Sequence, residues 1–204
     1  AMGIPVKAAT AVNADAVAEH TWGLILACAK SIPQLNARMH EGQWDKSVHK
    51  SLELKGRTLG LVGLGAIGLR VANIGAAMGM RVTGHDPYAK SAPSFITQAS
   101  LPELLRESDV VSLHCPLTTD NRRMINKETL DLMRDGAILI NTARGGLVDE
   151  SAVRDALASG KLRAAGLDSF ETEPPPAGHP LRNIQNLIMT PHVGGVTGDA
   201  YVNM

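Results

Sequence analysis

The sequence has few aromatic residues and no excess of charge of either sign. Only 3% of its 204 residues are aromatic: two Trp, two Tyr and two Phe. A core with so few rings must be built from aliphatic side chains and Met, as in buried parallel strands packed against helices. Lys and Arg together number 20, as do Asp and Glu, so the formal net charge is zero. This balance argues against nucleic acid or an anionic membrane as a partner.

Cysteines and long apolar runs are also scarce. Cys28 and Cys115 are too few and too far apart for a disulfide framework or a metal site, which fits a reducing compartment and predicts a cytoplasmic protein. No run approaches about 18 apolar residues, so no membrane span is predicted. We expect residues 3–204 to form one domain, with Ala1 and Met2 a cloning remnant, because no translation product begins with Ala before Met.

Short apolar runs alternate with helical periodicity along the chain. Strands are predicted at residues 58–62, 81–86, 110–115, 137–141, 164–168 and 187–190. Helices are predicted from Asn13 to before Pro33, at 66–78, after a Ser100/Glu103 capping box, at 127–133 and at 149–159. Residues 38–55 are predicted to form a connection with a short helix. With no hairpin signals, this alternation indicates an α/β fold: a parallel sheet with helices on both faces, in three layers.

A glycine motif joins the first strand to the helix that follows it. Gly63, Gly65 and Gly68 match G-x-G-x-x-G, a pattern that is weak by itself but is here placed between a strand and a helix. In a doubly wound Rossmann-type sheet these glycines permit a tight turn, an approaching pyrophosphate and close helix packing. Asp86 ends the next strand, where an acid accepts hydrogen bonds from ribose and repels a 2′-phosphate. The sequence therefore predicts NAD rather than NADP as cofactor.

Several polar residues follow strands whose carboxyl ends share one edge of the sheet. Arg144 offers a permanently charged planar fork suited to a carboxylate, and His192 changes charge near neutral pH. Asp168 ends another strand, and Glu173 precedes His192 closely enough to hold its imidazole. Each residue alone is typical of a surface or structural role. Their shared edge, where ligands bind in open α/β sheets, indicates a site.

These residues resemble the D-isomer-specific 2-hydroxyacid dehydrogenase family. The matching segments are residues 63–68 with 86–88, then 141–149, 166–174 and 190–195, and the resemblance extends from about residue 5 to 201. It implies that Arg144 binds the substrate carboxylate and polarises the carbonyl. His192 protonates the keto oxygen as hydride arrives, and Glu173 keeps His192 protonated. Asp168 hydrogen-bonds the nicotinamide carboxamide.

The resemblance also implies which residues line the cofactor. Ala66 and Ile67 face the pyrophosphate, and Gly194 and Gly195 lie near the cofactor as well. The adenine and ribose side is lined by Cys115, Pro116, Thr142 and Ala143. Cys115 stands where the family usually has an aliphatic residue, and we interpret its thiol as a small apolar group.

Two parts of the family's pattern are missing from this chain: the N-terminal substrate domain and the closing helix after the His192 motif. Residues 13–20 resemble the start of the first interdomain helix, so Glu19 and His20 are predicted to pack between domains. We expect the chain to be the cofactor domain of a two-domain enzyme and to be slow or inactive by itself. Because members of the family are commonly dimers, we also expect a homodimer. No metal is expected, because His40, His49, His85 and His179 lack metal-ligand spacing.

Three functions remain open on the sequence. The leading hypothesis is an NAD-dependent oxidoreductase that acts on a small 2-hydroxy or 2-keto acid. The second is an NAD-sensing binding module, as in the family's transcriptional corepressor branch. The third is a relative with another substrate such as phosphite; formate is disfavoured because an amide typically pairs with the histidine in formate dehydrogenases, where this chain has Glu173.

Overall fold

The computed structural model describes residues 12–44, 46–47 and 49–199, and in this part of the chain seven parallel strands form one sheet. The strands are β1 (Thr58–Val62), β2 (Arg81–His85), β3 (Ile96–Gln98), β4 (Val110–Leu113), β5 (Ala137–Asn141), β6 (Leu162–Leu167) and β7 (Leu187–Met189). Their order is β3-β2-β1-β4-β5-β6-β7. The direction of progression reverses between β1 and β4, which is the switch point of a doubly wound fold.

Six α-helices flank this sheet in the described residues, and a short 3-10 helix, Gly145–Leu147, follows β5. The α-helices are α1 (Ala14–Lys30), α2 (Ile32–His40), α3 (Ala66–Ala77), α4 (Leu101–Glu107), α5 (Lys127–Leu132) and α6 (Glu150–Ala158). One core cluster joins α1 and α3 to one face of the sheet, and a second joins α4, α5 and α6 to the other face. The predicted three-layer Rossmann-type α/β fold is confirmed. No helix in the described part has both the length and the apolar character to cross a bilayer.

The predicted boundaries agree with the structure where local signals are strong. All five residues of β1 and all five of β5 are buried, as their uniform apolar composition predicts. The Ser100/Glu103 capping box is present at α4, and Asp149 caps α6 by accepting from the Ser151 and Ala152 amides. Gly79 adopts a positive φ of 76° just after α3, as helix-ending glycines do.

Three local predictions were wrong. The short helix expected within residues 38–55 is α2, which lies earlier. Pro33 lies just beyond α1, as predicted, and is within the first turn of α2, where its missing amide costs nothing. The short edge strand β3 was not predicted, because only Ile96 of its three residues is buried. The side chain of Asn13 makes no capping hydrogen bond at α1.

Candidate functional site

Two adjoining cavities open at the carboxyl edge of the sheet. The larger, here the central cavity, has a volume of about 520 Å³ and lies beside the ends of β5 and β6. The second, here the outer cavity, has a volume of about 410 Å³ and lies beside the ends of β1 and β2. His114, Cys115 and Pro116, which follow β4, line both. The two cavities therefore form one cleft across the switch point, where dinucleotides bind in such sheets.

The glycine turn between β1 and α3 has a different steric reason for each glycine. Gly63 has a φ of 98°, and a Cβ there would lie 2.7 Å from the Cys115 amide nitrogen. A Cβ on Gly68 would lie 2.1 Å from the Gly63 carbonyl oxygen, so only glycine permits this close packing. A Cβ on Gly65 would meet nothing within 4 Å. Gly65 borders the outer cavity and leaves the first amides of α3 without a side-chain cap, as phosphate binding requires.

Asp86 follows β2 and connects the glycine turn to the outer cavity. Its Oδ2 accepts a hydrogen bond from the Leu64 amide at 2.9 Å, and its Oδ1 accepts one from the Tyr88 amide at 2.9 Å. Each carboxylate oxygen keeps a free lone pair after these bonds. The carboxylate can therefore accept from a ribose diol while it holds the turn in place.

The buried carboxylate of Asp168 holds the segment that carries His192 through hydrogen bonds. Oδ1 accepts hydrogen bonds from the Thr190 hydroxyl at 2.5 Å and the Val193 amide at 3.0 Å. Oδ2 accepts one from the Gly194 amide at 2.8 Å and can accept another. His192 has a φ of 55°, a conformation that non-glycine residues rarely adopt, and these bonds on either side of it hold it there.

His192 and Glu173 form a hydrogen-bonded pair at the mouth of the central cavity. His192 Nδ1 lies 2.8 Å from Glu173 Oε2, and the Phe170 amide donates to Glu173 Oε1 at 2.9 Å. Burial alone would raise the pKa of Glu173, but the hydrogen bonds from His192 and Phe170 and the charge of His192 lower it overall. Because the carboxylate engages Nδ1, Nε2 is the nitrogen available for proton transfer to a ligand.

Arg144 projects from the turn after β5 toward the same cavity. Its backbone is fixed by Asn141, whose Nδ2 donates to the Arg144 carbonyl at 2.9 Å and whose Oδ1 accepts from the Ala143 amide at 3.0 Å. The guanidinium is exposed and donates to the Ala143 carbonyl at 2.7 Å. It forms no ion pair with an acidic side chain among the described residues. Its fork is thus available to a ligand carboxylate.

Most of the predicted site residues lie around the two cavities. The outer cavity is lined by Gly63, Gly65, Asp86, Cys115 and Pro116. The central cavity is lined by Ile67, Cys115, Pro116, Thr142, Ala143, Arg144, Asp168, His192, Gly194 and Gly195. Ala66, Gly68 and Glu173 line neither: the first two begin α3, and Glu173 lies behind His192.

The position of Thr142 and Ala143 differs from what the resemblance implied. It placed both on the adenine and ribose side, whereas they line the central cavity with Arg144 and His192. The reason is the strand order: β5, which precedes them, is separated from β2 and its Asp86 by β1 and β4. They therefore lie at the same end of the cleft as Arg144 and His192.

Two histidines that sequence reasoning did not assign to the site also belong to it. His20 on α1 lies 3.0 Å from the Thr190 hydroxyl and 3.3 Å from Asp168 Oδ1, so its ring contacts the site rather than only a domain boundary. His114 Nε2 lies 2.9 Å from the Ser112 hydroxyl, and burial lowers its pKa to about 3. No sequence signal indicated the His20 contact, because its partners lie about 150 or more positions away.

Metal ligation is not a feature of the described residues. They contain no group of three or more His, Cys, Asp or Glu side chains placed to hold a metal ion. Cys115, where the two cavities meet, has a pKa raised by burial and is a neutral thiol at neutral pH. The polar groups that line the cleft include the carboxylates of Asp86 and Asp168, the guanidinium of Arg144 and the imidazole of His192.

Known proteins of the same family match nearly the whole chain. Residues 22–194 match the family model described as the D-isomer specific 2-hydroxyacid dehydrogenase NAD binding domain. The hydroxypyruvate reductase of Thermotoga maritima is 43% identical over 97% of this chain and 65% of its own length. The D-3-phosphoglycerate dehydrogenase of Methanocaldococcus jannaschii is also 43% identical, over 97% of this chain and 38% of its own length.

A solved structure extends the comparison to the fold. The D-lactate dehydrogenase of Aquifex aeolicus, in complex with NAD and lactic acid, is 36% identical with a TM-score of 0.86, over 95% of this chain and 63% of that one. The chain thus spans less than two thirds of the length of these relatives. The glycine turn, the cleft and the family match all indicate a dinucleotide-binding domain. This chain belongs to the D-isomer-specific 2-hydroxyacid dehydrogenase family, as its NAD-binding domain.

Proposed function

We propose that the full-length protein is an NAD-dependent oxidoreductase that interconverts a small 2-keto acid and its D-2-hydroxy acid. The observation that carries the proposal is the convergence of Arg144 and the Glu173–His192 pair on the central cavity, which adjoins the outer cavity and its glycine turn. Reduction of a 2-keto acid requires one group that binds its carboxylate and another that donates a proton to its keto oxygen. The relatives named above, a hydroxypyruvate reductase and a phosphoglycerate dehydrogenase, support the same substrate class.

Each of these residues has a part in the proposed reaction. The Arg144 fork binds the substrate carboxylate and draws electron density from the adjacent carbonyl. His192 Nε2 donates its proton to the carbonyl oxygen, and Glu173 stabilises the ring from Nδ1. NADH, when bound, supplies the hydride to the carbonyl carbon. Asp168 can accept from the carboxamide through the free capacity of Oδ2 and so orients the ring that faces the substrate.

Cofactor choice depends on Asp86. A carboxylate that already binds two backbone amides in the turn presents negative charge to the ribose, which disfavours a 2′-phosphate. Replacement Asp86→Ala should weaken NAD binding and narrow its advantage over NADP. Fluorescence titration of both reduced cofactors measures this; an unchanged NADH affinity would show that the ribose contact is misassigned.

We further propose that residues 3–204 are the cofactor domain of a two-domain cytoplasmic enzyme that forms homodimers and binds neither nucleic acid nor membrane. The greater length of the relatives supports a further domain. Ile32, Met39 and Trp44, which are more than half exposed on and just after α2, supply an apolar surface for a second copy.

Closure of a second domain normally completes such a site, so this chain should bind NAD yet turn over slowly. A rate equal to that of the full-length protein would contradict this.

A substrate panel tests the proposed activity. Full-length protein is mixed with NADH and glyoxylate, hydroxypyruvate, pyruvate or phosphohydroxypyruvate, and absorbance of NADH is followed. Oxidation of NADH with at least one acid is expected. No oxidation with any, together with NAD-dependent capture of a protein partner, would instead support an NAD-sensing regulator. In a parallel assay with NAD⁺ and phosphite, formation of NADH would change the substrate class, because phosphite donates the hydride and is oxidised to phosphate.

A further inference from the structure

A buried pair of side chains, Glu150 and His179, lies behind the loop that carries Glu173. Their side chains are 13% and 6% exposed, and His179 Nε2 lies 2.9 Å from Glu150 Oε2. Neither is among the described residues that line the two cavities. A buried carboxylate is costly unless its oxygens are hydrogen-bonded, so the partners of this one indicate what it holds.

The Glu150 carboxylate is linked to Glu173 through two consecutive backbone amides. Glu150 Oε1 accepts from the Glu171 amide at 2.9 Å. The preceding amide, that of Phe170, donates to Glu173 Oε1 at 2.9 Å. One short segment of backbone is therefore held by a carboxylate on each side, and Glu173 Oε2 continues the chain of hydrogen bonds to His192.

His179 fixes this arrangement from the other side. Its ring packs edge-on against Phe170, with ring centroids 6.1 Å apart and an interplanar angle of 80°. Its Nδ1 accepts from the Leu181 amide at 3.4 Å, which leaves the Nε2 proton for Glu150. The ring thus contacts both the aromatic residue and the carboxylate that hold the segment before Glu173.

The same segment also contacts the turn that carries Arg144. A Cβ on Gly145 would lie 1.9 Å from the carbonyl carbon of Phe170, so the two backbones are in direct contact. A displacement of Phe170 or Glu171 would therefore move Glu173 and would also displace the turn that carries Arg144. The segment therefore lies between the loop that carries Glu173 and the turn that carries Arg144.

We propose that Glu150 and His179 are positioning residues, which place Glu173, and through it His192, relative to Arg144. They act without touching substrate or cofactor. The proposal deepens the proposed function and rests on it for its kinetic readout. The placement of the His192 ring is measurable without turnover.

The kinetic experiment uses the full-length protein and conservative variants. Glu150→Gln turns an amide toward the protonated Nε2 of His179, and His179→Leu removes the donor. Each should lower kcat about 10- to 100-fold, the scale expected from misplacing a reacting group by about 1 Å, with KM for NADH within about twofold. His179→Gln retains an N–H donor and should keep kcat within about threefold. Glu107→Gln, at an exposed glutamate ending α4, is the matched control and should leave kcat unchanged.

A double-mutant cycle separates positioning from stability. In a Glu173→Gln background, Glu150→Gln should lower kcat by less than about threefold, because its effect passes through Glu173. An equal loss in both backgrounds would overturn the proposal. So would a Glu150→Gln variant that fails to fold, since the pair would then serve stability.

A readout independent of activity uses the same full-length variants labelled with ¹³C-histidine. The pH titration of the His192 ring should move in Glu150→Gln and His179→Leu but not in Glu107→Gln. An unmoved titration in both would overturn the proposal. If the wild-type protein reduces no 2-keto acid, the proposed function fails, whereas this titration still decides whether the pair positions His192.

Discussion

Gly65 and Gly68 of the glycine turn differ in what an added side chain would contact, so replacing each one tests ligand binding and folding separately. Gly65 has φ −73° and ψ −166°, an extended conformation open to any residue, and its added Cβ meets nothing within 4 Å. The Cβ of Gly68→Ala would lie 2.1 Å from the Gly63 carbonyl oxygen. Gly65→Ala should therefore spare the fold and disturb the ligand, whereas Gly68→Ala should disturb the fold.

The expected change in the free energy of unfolding of Gly65→Ala is small, because two effects of opposite sign nearly cancel. An alanine cap costs α3 roughly 0.5–1 kcal/mol, and the lost freedom of the unfolded chain returns about 0.4–1 kcal/mol. The free energy of unfolding of Gly65→Ala should thus lie within about 1 kcal/mol of wild type. A methyl group placed before the first amides of α3 should weaken NADH at least tenfold, which is about 1.4 kcal/mol. Gly68→Ala should lose about 1–3 kcal/mol of stability or more.

The assay combines fluorescence titration of NADH with urea unfolding of the same preparations. Gly23→Ala is the control, since Gly23 is exposed within α1 and its added Cβ also meets nothing within 4 Å. It should gain about 1 kcal/mol of stability and bind NADH as wild type does. Wild-type NADH affinity in Gly65→Ala would refute the assignment of this turn to the pyrophosphate.

Two further predictions concern charge. Arg144→Lys replaces a fork by a point charge, so kcat/KM for the keto acid should fall at least tenfold in full-length protein while NADH binding stays within twofold; an unchanged kcat/KM would exclude carboxylate binding there. Burial lowers the pKa of His114 to about 3. Because the unfolded chain takes up this proton near its ordinary pKa of about 6.5, the free energy of unfolding should fall as pH falls from about 6.5 toward 3. His114→Asn should lose less stability between pH 7 and 4.5 in urea unfolding, and an identical loss would contradict this.

Local signals explain what the sequence predicted well. The apolar run of β1 is uniform because both faces of that strand are covered, and the Ser100/Glu103 box is complete within four residues. The glycine motif was informative because its neighbours indicated a strand and a helix. The carboxyl-edge rule then brought Arg144, Asp168 and His192 together without knowledge of any distance.

The remaining features depend on contacts between distant parts of the chain. His20 has no local mark that distinguishes it from other helical residues, yet it lies 3.0 Å from the Thr190 hydroxyl, 170 positions away. The Glu150–His179 pair joins the start of α6 to a loop 29 positions later. Gly145 follows a strand like many turn glycines, and only the crossing with Phe170 shows why a side chain cannot fit.

Single-turnover reduction in the full-length protein tests whether His192 donates the proton to the keto acid. NADH-loaded wild type and His192→Gln are mixed with whichever keto acid the substrate panel identifies, and the decay of NADH absorbance is followed. We expect a rate at least about 100-fold lower in His192→Gln, the scale of general acid catalysis, with NADH affinity unchanged. Equal rates in the two proteins would contradict it, because the proton would then come from another group.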